Sequence, residues 1–262
     1  MQKDSLFARP LGDIEGFRFN EAVVGVFPDM LKRSVPGYES IITQSALLAN
    51  RYTQPHTRLY DLGSSLGATS IAMRDALAQG DASQSQGCEI HAIDNAPAMI
   101  DACRSLIEID AGNTSAINNA SATNNSPVPI VLHEANLQDH PLSQASVVAM
   151  NFTLQFVDPS ARPELMQKIA DALLPGGVLI LSEKVRFQDP TVNELHIDMY
   201  HAFKRQNGYS DLEISQKRTA LENVLVPDTL EEHQERLLNA GFKHCTVWFQ
   251  CFNFASLIAI KD

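Results

Sequence analysis

Five short apolar runs recur between residues 58 and 182, at Arg58–Leu62, Glu89–Asp94, Ile130–Glu134, Val147–Asn151 and Val178–Ser182, and amphipathic helical patterns fill the gaps. Strands alternating with helices build βαβ units, which set the strands parallel and the helices on the faces of the sheet. The pattern predicts a Rossmann-like α/β sheet, mostly parallel, with helices on both faces. Pro97–Ile109 opens on a first-turn proline, and Pro159–Leu174 is read as a helix that stops at Pro175-Gly176-Gly177. The last runs, Cys245–Phe249 and Leu257–Ile260, read as a closing antiparallel strand pair.

Two segments break the alternation. Residues 1–50 and 185–230 are helical in pattern, the second with helices near Val192–Gln206 and Leu212–Val224. Both are expected to cap the carboxyl edge of the sheet, where open α/β sheets bind ligands. Between them, "AGNTSAINNASATNNSP" (111–127) is polar and rich in turn formers, and is expected to be a flexible surface insertion. The expected organisation is one α/β domain over residues 1–262, whose 44% hydrophobic content is enough for a packed core.

Composition narrows the partners. With 20 Lys and Arg against 31 Asp and Glu, the formal charge is −11, which disfavours direct binding to nucleic acid. No run approaches the length of a membrane span and the first residues lack a leader pattern, so no membrane contact and a cytoplasmic location are expected. Cys88, Cys103, Cys245 and Cys251 have no C-x-x-C spacing, which points to reduced, mostly buried thiols.

The most informative turn is "LYDLGSSLGATS" (59–70), a buried strand entering a helix through Gly63 and Gly67. A dinucleotide fingerprint needs glycines where this chain has Ser65 and Ala68, and no Gly-Lys-Ser/Thr ending is present to cradle a triphosphate. The second strand ends in Asp94, an acid placed to accept both hydroxyls of a ribose. A nucleoside without pyrophosphate satisfies both features, and S-adenosylmethionine is such a ligand.

The stretches "VFPDMLKRSVPGY" (26–38), "YDLGSSLGA" (60–68), "AIDNAPAMI" (92–100), "NFTLQF" (151–156), "LPGGVLILSEK" (174–184), "FKRQNGYSDLEISQKR" (203–218) and "WFQCFNF" (248–254) resemble the carboxy-S-adenosyl-L-methionine synthase family. This family is a branch of the class I S-adenosylmethionine-dependent methyltransferase fold, and the resemblance covers nearly the whole chain. It implies S-adenosyl-L-methionine as substrate, prephenate as carboxyl donor, and carboxy-S-adenosyl-L-methionine and phenylpyruvate as products, with no metal. A separate tRNA carboxymethyltransferase would then use the product to modify wobble uridine. A homodimer is implied too, with "WFQCFNF" as an aromatic surface for the contact.

Carried over by position, the resemblance places Tyr38, Gly63, Ser64, Ser65, Asp94, Asn95, Asn136, Leu137, Asn151 and Arg218 around the nucleoside. Tyr38 would reach in from the N-terminal cap, Gly63–Ser65 would face the methionine portion, and Asn95, Asn136 and Leu137 would lie near adenine. Asn151 would face the sulfonium and Arg218 would take the new carboxylate, because a guanidinium fork matches a carboxylate bidentately. Two departures stand out: Ser64 replaces the family's usual Cys, and Asn136 replaces an acid that meets the adenine amino group. Lys204, Arg205 and Lys217 are alternates to Arg218, or holders of the donor's carboxylates. His196, His201, His233 and His244 are assigned to packing or capping.

No side chain is assigned as proton acceptor; a base released by the donor, such as its leaving hydroxide, is the candidate. Two other functions fit the residues alone: methyl transfer to a small acidic acceptor, and nucleoside binding without catalysis.

Overall fold

The central strands bury consecutive residues rather than alternate ones. Val147, Val148, Ala149 and Met150 are all inaccessible, as strands covered by helices on both faces require. The computed structural model describes residues 2–118 and 127–262, apart from the side chains of 111–118. Its sheet contains β1 (Arg58–Leu62), β2 (Glu89–Asp94), β3 (Ile130–Glu134), β4 (Ala145–Asn151), β5 (Leu173–Lys184), β6 (His244–Cys251) and β7 (Phe254–Ile260), in the order β3-β2-β1-β4-β5-β7-β6. The first five strands pair parallel, and β7 runs antiparallel to both β5 and β6. The expected sheet class and its closing antiparallel pair are both present.

Each face of the sheet has its own core. Leu59, Val147, Ala149, Val178 and Ile180 pack with Ala49 of α3 (Tyr38–Tyr52) and with Met73 and Leu77 of α4 (Ala68–Gln79). Tyr60, Leu62, Val148, Met150, Leu179 and Leu181 face the other way, onto α6 (Arg162–Ala172) and α9 (Leu230–Asn239). The element α5 (Pro97–Asn118) follows β2.

Several boundaries differ from those read in the sequence. The helix before β5 ends at Ala172, because Leu173 is already extended at φ −73°, ψ 133°, and the residue ahead of Pro175 is itself biased to extended backbone. Pro175-Gly176-Gly177 is then an irregularity inside β5, where Gly176 takes φ 78°. The helix expected over Pro97–Ile109 continues to Asn118, so the first half of the 111–127 segment extends it. Residues 119–126 of that segment lie outside the described residues.

The segments outside the alternation divide in two. The helix α3 joins the sheet layers, whereas α1 (Glu21–Val24) and α2 (Phe27–Ser34) form a third cluster in which Val23, Val26, Phe27 and Met30 pack on Met99. Between β5 and α9 come α7 (Pro190–Gln206) and α8 (Asp211–Leu221). The latter is fixed by a capping box, since Ser210 accepts from the Glu213 amide while Glu213 accepts from the Ser210 amide. The strand order reverses between β1 and β4, and a ligand site belongs at the carboxyl ends beside that reversal.

Candidate active site

A cavity of about 790 Å³ occupies that position, within the range of ~300–1,000 Å³ usual for small-molecule sites. All ten sequence-derived site residues, Tyr38, Gly63, Ser64, Ser65, Asp94, Asn95, Asn136, Leu137, Asn151 and Arg218, line it.

The turn after β1 takes its shape from packing within the protein. Gly63 has φ 78°, and a Cβ there would lie 2.1 Å from Thr153 Oγ1; Gly67 has φ 80°, and a Cβ would lie 2.6 Å from Cys103 Sγ. Both glycines are therefore required before any ligand is considered. The amides of Gly63 and Ser64 donate to the Ile93 carbonyl, and the Ser65 amide donates to Asp94 Oδ2 at 2.9 Å. Behind the turn, buried Asp61 accepts from the amide and hydroxyl of Ser70, while burial pushes its carboxyl up to about 6.

Asp94 also accepts the Ala96 amide on Oδ1 at 2.9 Å, so it has the capping geometry of a βα acid as well as a place on the cavity wall. Burial raises its pKa, and hydrogen bonds from the Ala96 and Ser65 amides oppose the rise. Each carboxylate oxygen retains acceptor capacity after one bond, so a diol can still be held by both. At the neighbouring strand, Asn95 Nδ2 donates to Asn136 Oδ1 at 3.0 Å, and Asn136 Nδ2 donates to Asp139 at 3.1 Å. The Asn136 carbonyl expected to receive an adenine amino group is thus already bonded once, within a chain tying the ends of β2 and β3.

Asn151 ends β4. Its Nδ2 donates to Thr69 Oγ1 at 3.2 Å, while its Oδ1 is buried without a hydrogen-bond partner among the described residues, as is Ser64 Oγ. Such orphaned acceptors on a cavity wall are satisfied by a ligand or an ordered water. The turn that follows, with Phe152 at φ 59°, is held by Glu183, whose buried carboxylate accepts the amides of Thr153, Leu154 and Gln155 at 3.1, 2.7 and 3.1 Å. Burial pushes Glu183 up to about 8 against the pull of those three donors.

The opposite wall is cationic. Lys184, His201, Lys204, Lys217 and Arg218 all line the cavity, as does the buried phenol of Tyr200. Lys184 Nζ lies 5.1 Å and Lys204 Nζ 4.4 Å from the Tyr200 ring centroid, cation–π distances in both cases. Burial and the Arg218 charge bring Lys184 down to about 8. Lys204 is held well below its ordinary value by burial, then by Lys217 and Lys184. Lys217 is tied back to Asp4 at 3.8 Å and to Ser34 Oγ at 3.3 Å. Asp4 in turn accepts the Tyr209 hydroxyl, which fastens the N-terminal segment under α8.

Arg218 is exposed on α8 and makes no ion pair or hydrogen bond among the described residues. The carboxylates at close to helical spacing from Arg218 are those of Glu213 and Glu222. Glu213 is committed to the Ser210 capping box instead, so the guanidinium fork is left for whatever enters the cavity.

Two sequence expectations change here. Arg205 is not on the cavity wall: it pairs with Asp211 at 2.7 Å on the surface. His201, assigned to packing or capping, lines the cavity, whereas His196 stacks on Phe187 at 4.1 Å, His233 is buried and His244 faces Asp262 at 3.8 Å. The aromatics of "WFQCFNF" are half-buried at Trp248, Phe249 and Phe252 and buried at Phe254. Phe249 sits where a Cβ on Gly37 would be, Trp248 packs against the sheet core, and Phe254 is buried beside Tyr200 and Phe152. Lys184 was missed, although the signal was available: like Asp94 and Asn151, it is the last residue of a central strand.

No protein-family model matches the chain. It is 52% identical over 258 residues to a protein of Trichlorobacter lovleyi named carboxy-S-adenosyl-L-methionine synthase, covering 98% of each chain. It is 48% identical, again over 98% of each chain, to a protein of the same name from Aliivibrio fischeri. Among solved structures, a putative S-adenosyl-L-methionine-dependent methyltransferase of Methanococcus maripaludis superposes with a TM-score of 0.54 over 97% of this chain and 98% of its own, at 18% identity, which speaks to the fold alone.

Proposed function

The chain belongs to the carboxy-S-adenosyl-L-methionine synthase family, and we propose that it converts S-adenosyl-L-methionine and prephenate to carboxy-S-adenosyl-L-methionine and phenylpyruvate. The observation that carries the reading beyond methyl transfer is Arg218, a guanidinium on the cavity wall with no carboxylate partner among the described residues. The product differs from the starting nucleoside by one carboxylate, and a planar fork is the side chain best shaped to receive it.

The residues present fit the nucleoside. Asp94 holds the ribose diol, the turn Gly63–Ser65 takes the methionine portion, and Asn95, Asn136 and Leu137 line the adenine end. Asn151 Oδ1 and Ser64 Oγ meet their missing partners on the ligand. The donor ring loses carbon dioxide and hydroxide as it becomes aromatic. The hydroxide takes a proton from the sulfonium methyl group and leaves as water, and the methyl carbon forms the new bond to carbon dioxide. The protein positions the two substrates, excludes water and stabilises the forming carboxylate.

The product is read as the donor for a separate tRNA carboxymethyltransferase acting on wobble uridine, with both steps in the cytoplasm. No helix among the described residues is long and apolar enough to cross a membrane. The assembly is read as a homodimer. Its contact is assigned to α7, where Val192, Leu195 and Met199 are exposed on the same helix as Phe203, whose ring lies 6.4 Å from Phe252. Sedimentation of the protein and of a Leu195→Lys variant tests that contact: the variant sediments as a monomer.

The mass of the nucleoside that co-purifies with the protein tests the reaction class. Carboxy-S-adenosyl-L-methionine supports the synthase. S-adenosyl-L-methionine or its demethylated product points to methyl transfer, and no nucleoside at all points to neither enzyme.

A further inference from the structure

Arg218 accounts for one carboxylate, yet the donor carries two. Its ring carboxylate departs as carbon dioxide, and its side-chain carboxylate is retained in phenylpyruvate. Lys184 and Lys204 remain on the cavity wall with neither Nζ in an ion pair or hydrogen bond among the described residues. In a chain with 31 acidic residues this is not for want of carboxylates. Lys217, the third lysine of this wall, has Asp4 and Ser34, which removes it from the count.

The structure assigns to Lys184 and Lys204 the retained carboxylate of the donor, leaving Arg218 for the carboxylate that is transferred. The assignment rests on prephenate as donor and deepens that reading. Both ammonium groups lie against the ring of Tyr200, at 5.1 and 4.4 Å from its centroid, so one aromatic surface sets the position of two cations that arrive from different elements, β5 and α7. Two cations set against one ring in a poorly hydrated wall are unfavourable alone and are relieved by an anion. The lowered pKa values of both lysines agree with this arrangement. Packing provides the competing account, in which the lysines serve only to cover Tyr200.

The two accounts separate in Lys184→Met and Lys204→Met. The assignment predicts that KM for prephenate and Ki for phenylpyruvate both rise about tenfold or more, the effect of losing a charge-assisted contact of about 1.4 kcal/mol or more, while affinity for carboxy-S-adenosyl-L-methionine stays within about threefold. It also predicts an unchanged or higher melting temperature, because each change removes a poorly hydrated cation that has no carboxylate partner among the described residues. Unchanged KM and Ki overturn the assignment, and so does a matching loss of nucleoside affinity. Lys184→Gln and Lys204→Gln are the second variants should Lys184→Met or Lys204→Met fail to fold.

If the native protein does not turn over prephenate, the donor reading fails by itself. The cleft is then tested by calorimetry of phenylpyruvate against the protein loaded with S-adenosyl-L-methionine. Binding that is lost in both variants sustains it as a carboxylate site, and no binding to the native protein overturns it.

Discussion

Asp94 Oδ2 accepts the Ser65 amide at 2.9 Å, so the acid that ends β2 and the turn that follows β1 are one bonded unit rather than two neighbouring features. With Oδ1 taken by the Ala96 amide, Asp94 both shapes the cavity and faces it. Asp94→Ala is expected to weaken nucleoside binding by about 2–4 kcal/mol and to destabilise the fold by about 1–2 kcal/mol, since two backbone donors lose their acceptor. Calorimetric titration and denaturant unfolding measure the two effects separately. Unaltered nucleoside affinity in the folded variant would reduce Asp94 to a capping residue.

Arg218 belongs to the part of binding that differs between starting material and product. Arg218→Lys retains the charge and loses the fork. It is expected to weaken carboxy-S-adenosyl-L-methionine by about 1–3 kcal/mol and to leave S-adenosyl-L-methionine within roughly a factor of three. Equal weakening of both nucleosides would place Arg218 on their shared methionine tail.

Much of this site was legible in the chain because strand ends are legible. Asp94 and Asn151 close apolar runs, and the runs themselves follow from burial on both faces. What was not legible depends on distant packing. Nothing local marks Gly63 as lying under Thr153, or Phe249 as resting over Gly37. Arg205 and Lys204 are adjacent in sequence, yet one faces Asp211 in solvent and the other Tyr200 in the cavity, a choice made by the face of α7 that lines the cavity. The helical extension to Asn118 runs through a composition rich in Asn, Ser and Thr, which local propensity argues against.

Arg162 is fully buried and braces the loops beside the cavity. It pairs with Asp228 at 2.7 Å and donates to the carbonyls of Val157 at 3.0 Å and Val226 at 2.9 Å. Burial works against the charge of Asp228, but Arg162 and Arg236 hold its pKa below the ordinary value. Arg162→Met leaves Asp228 with Arg236 alone and strips partners from buried carbonyls, so a loss of about 3–5 kcal/mol is expected in urea unfolding. A loss below about 1 kcal/mol would show that the brace is dispensable.

Lys184 gives a pH dependence with a definite sign. Its pKa is about 8 in the folded protein, against an ordinary 10.5. Between these values the unfolded chain binds more protons, so stability attributable to Lys184 rises with pH from about 8 to 10.5 and is flat below 8. Lys217, also near 8, acts in the same direction, so the quantity to measure is the native protein minus Lys184→Met. That difference should climb by at most about 1.4 kcal/mol per pH unit. Over the same window KM for prephenate should rise as the ammonium loses its charge. A difference curve that is flat from 8 to 10.5 contradicts the depressed value.

Carboxyl transfer from the donor ring to the nucleoside is tested most directly by mass spectrometry of a reaction containing the protein, S-adenosyl-L-methionine and prephenate labelled isotopically in its ring carboxylate. The account predicts a nucleoside product heavier by labelled carbon dioxide, formed in equal amount with phenylpyruvate. A demethylated nucleoside with no carboxylated product, or a carboxylated product without the label, would contradict it.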